Sequence, residues 1–254
     1  MIHINNLIKS FDETPVLKGV STNFEKGKTN LIIGQSGSGK TVFLKCIIGL
    51  FEATDGDIIF DNTSLESMDL RTRALLRQDI GMVFQGSALF DSMTVEENIM
   101  FPMKMFTDAD EDEIKDRANT VINRVNLIDA NHKMPSEISG GMKKRVAIAR
   151  AIIMNPKYLF CDEPNSGLDP QTAIVIDNLI VDITKEYGMT TVVVSHDMNS
   201  VIEASDTIHF IHNGEVAFKG DNAEMMVSDS PTLNDFIYAS KLMQKLRDTS
   251  SYKK

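Results

Sequence analysis

Eight residues, GQSGSGKT from Gly34 to Thr41, follow the short apolar run TNLII and lead into TVFLKCIIGL, whose apolar positions recur at helical spacing. Few local patterns restrict a chain more. The glycines let the backbone wrap an anion with its N–H groups pointing inward, and the helix that opens behind them adds a favourable dipole. The pattern G-x-x-x-x-G-K-[ST] in a strand–loop–helix setting binds the phosphates of a nucleotide. Gly34, Gln35, Ser36, Gly37, Ser38 and Gly39 are then expected to cradle them, Lys40 to reach the β and γ phosphates, and the Thr41 hydroxyl to ligate Mg²⁺.

Such a loop needs a sheet to present it. Short apolar runs bounded by turn residues alternate with helix-period segments, which predicts an α/β protein with a largely buried sheet. TNLIIG (29–34), KYLFCDE (157–163) and TTVVVSH (190–196) read as central strands with polar ends, the place where open α/β sheets hold ligands. VLKGVSTNFEKGK and DGDIIFDNTSL read as hairpin or edge strands. From about Gln85 to Asn155 helical patterning takes over in TVEENIMF, DADEDEIKDRANTVINRVNLI and SGGMKKRVAIARAIIM, so a mainly helical subdomain over about 86–156 is expected inside the α/β core. The acidic block Asp108 to Asp116 suits the first turn of a helix, where negative charge complements the dipole. A main domain of 1–230 would then be followed by a helical tail, 231–254, with Leu233, Phe236, Ile237, Leu242 and Leu246 at helix-compatible spacing.

The strand ends supply the remaining chemistry. Strand alternation predicts that Asp162 and Glu163, closing KYLFCDE, point to different sides of the pleat. Asp162 then suits a metal shell and Glu163 suits orienting or deprotonating water. Gln85, after IGMVF, offers a neutral oxygen to Mg²⁺ or water, and His196, after TTVVVS, can sense a terminal phosphate. Farther along, MPSEISGGMKKR places a capping serine, Ser139, and two glycines, Gly140 and Gly141, at a helix mouth, where a large anion can approach the backbone.

Composition narrows the partners. Thirty-six acidic against 26 basic residues give a formal charge of -10, which argues against nucleic acid. Cys46 and Cys161 lie in apolar runs and read as buried thiols of a reducing, cytoplasmic compartment. The start lacks the pattern of a secretory leader, and no window is long and apolar enough for a membrane span.

Together GQSGSGKT, the strand-end Gln85, ISGGM, LFCDEP, SGLD (Ser166 to Asp169) and SHD resemble, in order and spacing, the motif set of ATP-binding cassette (ABC) ATPase subunits. The resemblance covers about residues 1–225. It implies a P-loop NTPase fold with a RecA-like core, an antiparallel β-subdomain and the inserted helical subdomain, and ATP with Mg²⁺ as ligands. It also implies a head-to-tail dimer in which Ser139, Gly140 and Gly141 of one chain touch the γ-phosphate held by the other. Phe11 matches the family's adenine-stacking aromatic, Asp169 ends its D-loop, and Glu163, His196 and Gln85 take its catalytic positions. A single motif set requires a second chain, most economically a second copy. Transport would require separate membrane permease subunits, which in this family dock on the helical subdomain, here near residues 86–106, at the cytoplasmic face of the inner membrane.

Two departures sharpen the resemblance. The signature is ISGGM rather than LSGGQ, preceded by KMPSE, and the segment after Gln85 reads GSALFDSMTVEENIMFPM. Both are similar to the ATPases of Mla-type, Mce-associated lipid transporters, which implies phospholipid or lipid as cargo and an Mce-type lipid-binding protein in the same complex. Amino-acid or methionine importers, and non-transport cassettes such as those of cell division, are the alternative readings.

Overall fold

The computed structural model describes residues 1–239; positions 240–254, with Leu242 and Leu246 of the expected tail, lie outside the described residues. The strands, in chain order, are β1 (Ile2–Phe11), β2 (Thr14–Phe24), β3 (Thr29–Ile33), β4 (Asp55–Phe60), β5 (Thr63–Ser64), β6 (Ile80–Val83), β7 (Tyr158–Asp162), β8 (Thr190–Val194), β9 (Thr207–His212) and β10 (Glu215–Gly220). One sheet has the order β2-β1-β4-β5 and its pairs are antiparallel. The other has the order β10-β9-β3-β8-β7-β6 and is parallel apart from the β9–β10 pair.

The three runs expected as central strands are β3, β7 and β8. Every residue of β3 and β8 is buried, as befits a parallel sheet covered on both faces. Leu31 and Ile33 enter one apolar cluster while Ile32 enters another, as period-2 alternation requires. The opening segment is also a strand, β1, although its alternation is broken. Ile2 and Ile4 are buried, the pairing register slips, Asn6 takes a left-handed conformation (φ 49), and Leu7 is the next buried apolar residue. DGDIIFDNTSL forms the β4–β5 hairpin, turning through Asp61 and Asn62, both at positive φ.

The helices are α1 (Lys40–Ile47), α2 (Leu70–Gln78), α3 (Val95–Phe106), α4 (Glu111–Arg124), α5 (Gly140–Ile152), α6 (Pro170–Tyr187), α7 (Met198–Ala204), α8 (Asn222–Met226) and α9 (Pro231–Ile237). Helix α1 sits between the sheets: Phe43 and Leu44 share an apolar cluster with Ile4 and Leu17 of the antiparallel sheet and Phe160 of the parallel one. Each such fully buried side chain contributes roughly 1.5–3 kcal/mol. The other cluster joins the opposite face of the parallel sheet to α3, α4, α5 and α6.

Between positions 86 and 156 the chain forms α3, α4, a short 3₁₀ turn at Pro135–Glu137 and α5, without a strand. Thr94 and Glu97 close the start of α3 with a reciprocal capping box. The acidic block opens α4 as expected: the Asp110 side chain accepts from the Glu113 N–H at 2.9 Å. TVEENIMF ends at Phe101, yet α3 runs on through Pro102 to Phe106 because Met103 is buried beneath its last turn. The methionines of this segment divide by depth: Met100 and Met103 are core residues, whereas Met105 is 59% exposed. Helix α9, capped by Ser230, buries Leu233 and Ile237 in the domain's own core. Among the described residues no helix is long and apolar enough to cross a membrane.

Candidate nucleotide site

Four parallel strands deliver their polar ends to one edge of the sheet. β3 runs into the glycine loop, β6 into Gln85, β7 into Asp162 and Glu163, and β8 into Ser195 and His196. β3 lies between β8 and β9, both later in the chain, so the loop hangs where strand order reverses, the usual ligand position in an open α/β sheet. A cavity of about 720 Å³ lies here. It is lined by Val16, Gly34, Gln35, Ser36, Gly37, Gly39, Lys40, Thr41 and Val42, with Gln85, Glu163 and His196 and, from α9, Phe236.

The loop is shaped by backbone conformations that favour glycine: φ is 153 at Gly34, 80 at Gly37 and 105 at Gly39. A Cβ at Gly34 would lie 2.3 Å from the Ile211 carbonyl oxygen, so any side chain there would push the loop off the sheet. The start of α1 differs from its neighbours. α2, α3, α4, α5, α6, α8 and α9 each have a side chain accepting a first-turn N–H, whereas Gly39 gives α1 no side-chain cap. The first-turn amides of α1 are left for an anion. Ser38 Oγ is buried without a hydrogen-bond partner among the described residues, and the Lys40 ammonium donates to the carbonyls of Gly34 (2.8 Å) and Gln35 (2.9 Å). These donors fit a phosphate chain.

The acidic end is a hydrogen-bonded cluster around Glu163. Gln85 Nε2 donates to Glu163 Oε2 at 2.8 Å, and His196 Nδ1 lies 2.9 Å from Oε1. The sequence predicts that pleat alternation places Glu163 opposite Asp162, but the structure positions it by a turn instead. The strand ends at Asp162, and Glu163 takes a left-handed backbone (φ 47) while its N–H donates to the Val194 carbonyl at 2.9 Å. That turn, costing about 1 kcal/mol or more for a non-glycine residue, aims the carboxylate between Gln85 and His196. Asp162 is half-buried, and its pKa is raised first by burial and then by the Glu163 charge. Burial lowers the pKa of Lys40, opposed by Glu163 and Asp162.

Ser139, Gly140 and Gly141 lie outside this cavity. Ser139 caps α5, its hydroxyl accepting from the Met142 N–H at 3.3 Å, and both Ser139 and Gly140 face solvent. A Cβ on Gly141 would come within 2.7 Å of the Thr172 methyl, so a glycine lets α5 lie against the start of α6. Met142 packs partly buried against the helical core. Asp169 caps α6, accepting from the Thr172 N–H (3.0 Å) and hydroxyl (2.6 Å), bonds that hold its pKa low. Phe11 is 41% exposed and meets Phe51 edge-on with ring centres 5.4 Å apart, under the ammonium of Lys9; it is not among the side chains lining the cavity.

Three further features carry no local pattern that ties them to the site. Phe236 reaches the cavity and packs on Phe210, with ring centres 5.2 Å apart. Asn165, Asp177 and Ser200 form a buried network, in which Ser200 Oγ donates to Asp177 Oδ2 at 2.7 Å and Asn165 Nδ2 to Ser200 Oγ at 2.7 Å. Lys144 of α5 is 5% exposed and donates to the Gln85 carbonyl. Its one visible sign is a charge inside an otherwise apolar helix face.

A second concavity, about 450 Å³, opens between β6, α3 and α5. Met82, Phe84, Phe90, Phe101, Pro102 and Phe106 make it apolar, with Arg77 and Arg150 among its lining. Phe84 and Phe90 are each 40% exposed and Phe106 is 55% exposed.

Comparison with known proteins agrees with this geometry. The ABC transporter family pattern matches residues 17–166. A probable ribonucleotide transport ATP-binding protein of Mycobacterium tuberculosis is 34% identical over 241 residues, 95% of this chain and 67% of that protein. A glutamine transport ATP-binding protein of Escherichia coli is 37% identical over 239 residues, 93% of this chain and 98% of its own length. A methionine import ATP-binding protein of Clostridioides difficile is 37% identical over 237 residues, 93% of this chain and 74% of that protein. Among solved structures, a dimeric ATP-binding cassette in a post-hydrolysis state with ADP and Pi matches with a TM-score of 0.77 at 33% identity, over 87% of this chain and 98% of the other. With a phosphate-shaped loop, a carboxylate cluster beside it and these relatives, the chain belongs to the ABC transporter family, as an ATP-binding subunit with ATPase activity.

Proposed function

We propose that this ATPase drives lipid transport across a bacterial cell envelope by closing and reopening a dimer of itself around ATP. The observation that carries the catalytic part is the Gln85–Glu163–His196 cluster at the rim of the loop-lined cavity. Lys40 and the first-turn amides of α1 hold the phosphates, and Glu163 orients and deprotonates the attacking water with His196 beside it. Mg²⁺, where bound, neutralises charge developing on the phosphates. One or two protein ligands plus phosphate oxygens suit that ion, and Thr41, Asp162 and Gln85 are of the right chemistry. Phe11 and Val16, on the antiparallel sheet, supply the adenine side.

Ser139, Gly140 and Gly141 face solvent or a neighbouring helix rather than their own chain's cavity, which supports their use on a second copy's ATP. The apolar concavity between β6, α3 and α5 suits a coupling helix of a membrane permease, with the exposed rings of Phe84, Phe90 and Phe106 as the contact surface. It overlaps the expected 86–106 segment, and its Phe84 immediately precedes Gln85, so permease movement and the water-handling cluster share one stretch of chain. The subunit then lies peripherally on the cytoplasmic face of the inner membrane.

The cargo rests on the KMPSEISGGM and ALFDSMTV segments, which resemble Mla-type, Mce-associated ATPases. Similarity to methionine import proteins, at 37–38% identity, favours an amino-acid importer as the second reading. Purification with native membrane partners, followed by mass spectrometry of subunits and bound lipid, separates the two. An Mce-type protein with phospholipid is expected; an amino-acid permease in its place would refute the lipid reading.

A further inference from the structure

Helix α5 is joined by two cations to the segment 85–88 that follows β6. Lys144 donates to the Gln85 carbonyl, while Arg150 donates from Nη1 to the Ala88 carbonyl and from Nη2 to the Ser87 carbonyl, both at 2.8 Å. Ser87 and Ala88 sit in the left-handed region (φ 65 and 48), which non-glycine residues occupy only where surroundings hold them. Gln85 is the point where this strap meets chemistry. Its carbonyl receives Lys144, and its side-chain amide donates to Glu163 Oε2 at 2.8 Å.

A lysine is an expensive choice for this position if only stability matters. Removing an ammonium from water costs several kcal/mol unless its bonds are replaced, and an apolar side chain of similar volume usually serves a core as well or better. Burial lowers the pKa of Lys144, with Glu163 the largest opposing influence. The same helix starts at Ser139, about 7.5 Å along the axis from Lys144 at 1.5 Å per residue. A packed helix moves as a body, so a shift of its exposed N-terminus is delivered to the Gln85 carbonyl.

We propose that Lys144 is a positioning residue that locks the backbone of Gln85 to the signature helix, so that the placement of Ser139 sets the placement of the Gln85–Glu163 pair. The inference rests on the site reading above, in which Glu163 handles the water and Ser139 meets the second copy's nucleotide. Lys144 does not line the nucleotide cavity. It transmits the state of one active site to the other through a single helix.

The test uses the full chain, with steady-state phosphate release, nucleotide binding and thermal melting measured in parallel. Lys144→Met keeps the stem and removes the donor, and kcat is expected to fall about ten-fold or more with KM for ATP changed less than about two-fold and Tm within about 2 °C. Lys144→Arg restores a charged donor and should recover to within about three-fold of wild type. In a Gln85→Ala background, Lys144→Met should cost less than about two-fold, because its route to Glu163 is already cut. Should the methionine variant not fold, Lys144→Gln, whose amide falls short of the carbonyl, gives the same comparison. Wild-type turnover in this assay upholds the ATPase reading independently. A Lys144→Met rate equal to wild type, or losses that simply multiply in the double variant, would overturn the positioning role alone.

Discussion

Replacing Glu163 by glutamine separates chemistry from architecture. Among the described residues the carboxylate has two hydrogen-bond partners, the Gln85 amide at 2.8 Å and the His196 ring at 2.9 Å. A glutamine in the same rotamer can accept from Gln85 through its oxygen and donate to His196 Nδ1 through its nitrogen, with the ring proton on Nε2, so neither bond needs to break. What disappears is the negative charge and the ability to take a proton. General-base catalysis is typically worth 10²–10⁴-fold, so kcat should fall by about that factor, about 2.7–5.4 kcal/mol of barrier. The site's charge balance shifts predictably: Glu163 is the second-largest influence raising Asp162, whose pKa should come down in the variant. Phosphate release and melting temperature provide the assay, with size-exclusion chromatography in ATP reporting an accumulated dimer. Turnover within about three-fold of wild type would remove Glu163 from the water-handling role. Lost turnover accompanied by a collapse in Tm would refute the claim that both hydrogen bonds survive.

Mixing Lys40→Ala and Ser139→Arg subunits should restore partial activity, because half of the mixed dimer's sites then combine an intact loop with an intact signature; dimers without activity at any ratio would sink the shared-site arrangement. Ser139→Arg alone also removes the α5 cap and should lower stability by about 1 kcal/mol. Met142→Gln should retain substantial ATPase activity, since Met142 packs on the helical core and the exposed Ser139 carries the contact; a dead enzyme would show otherwise. His209 is fully buried beside Thr22 and Phe24, its pKa pushed down by burial to about 3 from 6.5. The folded state therefore holds it neutral, a contribution complete above pH 6.5 and lost as pH falls towards 3, at up to about 1.4 kcal/mol per pH unit. His209→Gln should flatten the denaturant-measured stability profile across that window, and an unchanged slope would show that other groups govern it.

The sequence announces those parts whose cause is local. GQSGSGKT is readable because a loop that turns through positive φ beside a helix start has few residue types available to it, and β3, β7 and β8 are readable because strands buried on both faces carry short apolar runs bounded by polar residues. The acidic opening of α4 follows from helix capping within a few residues. β1 is hidden by its own irregularity, since the slip around Asn6 breaks the alternation that identifies a strand. Helix α2 is hidden for the opposite reason: LRTRALLRQ buries no residue, so it has no apolar stripe to betray it. Glu163's direction depends on a left-handed residue that no alternation rule anticipates. The bond from Lys144 to Gln85 spans 59 positions and exists only after the helical segment has docked on the sheet.

β3 is flanked on both sides by neighbours and sealed above and below by separate apolar clusters, whereas among the described residues β6 is the edge strand of its sheet and pairs with β7 alone. Amide exchange should mirror this, slowest along Leu31 to Ile33 and much faster in Ile80 to Val83. The phosphate loop is thus moored to the part of the domain expected to open least, and Gln85 to an edge expected to open more readily. An ATPase that must grip its fuel steadily while yielding to a membrane partner gains from that gradient: the fuel is held at the sheet's still centre, and the give is reserved for its rim.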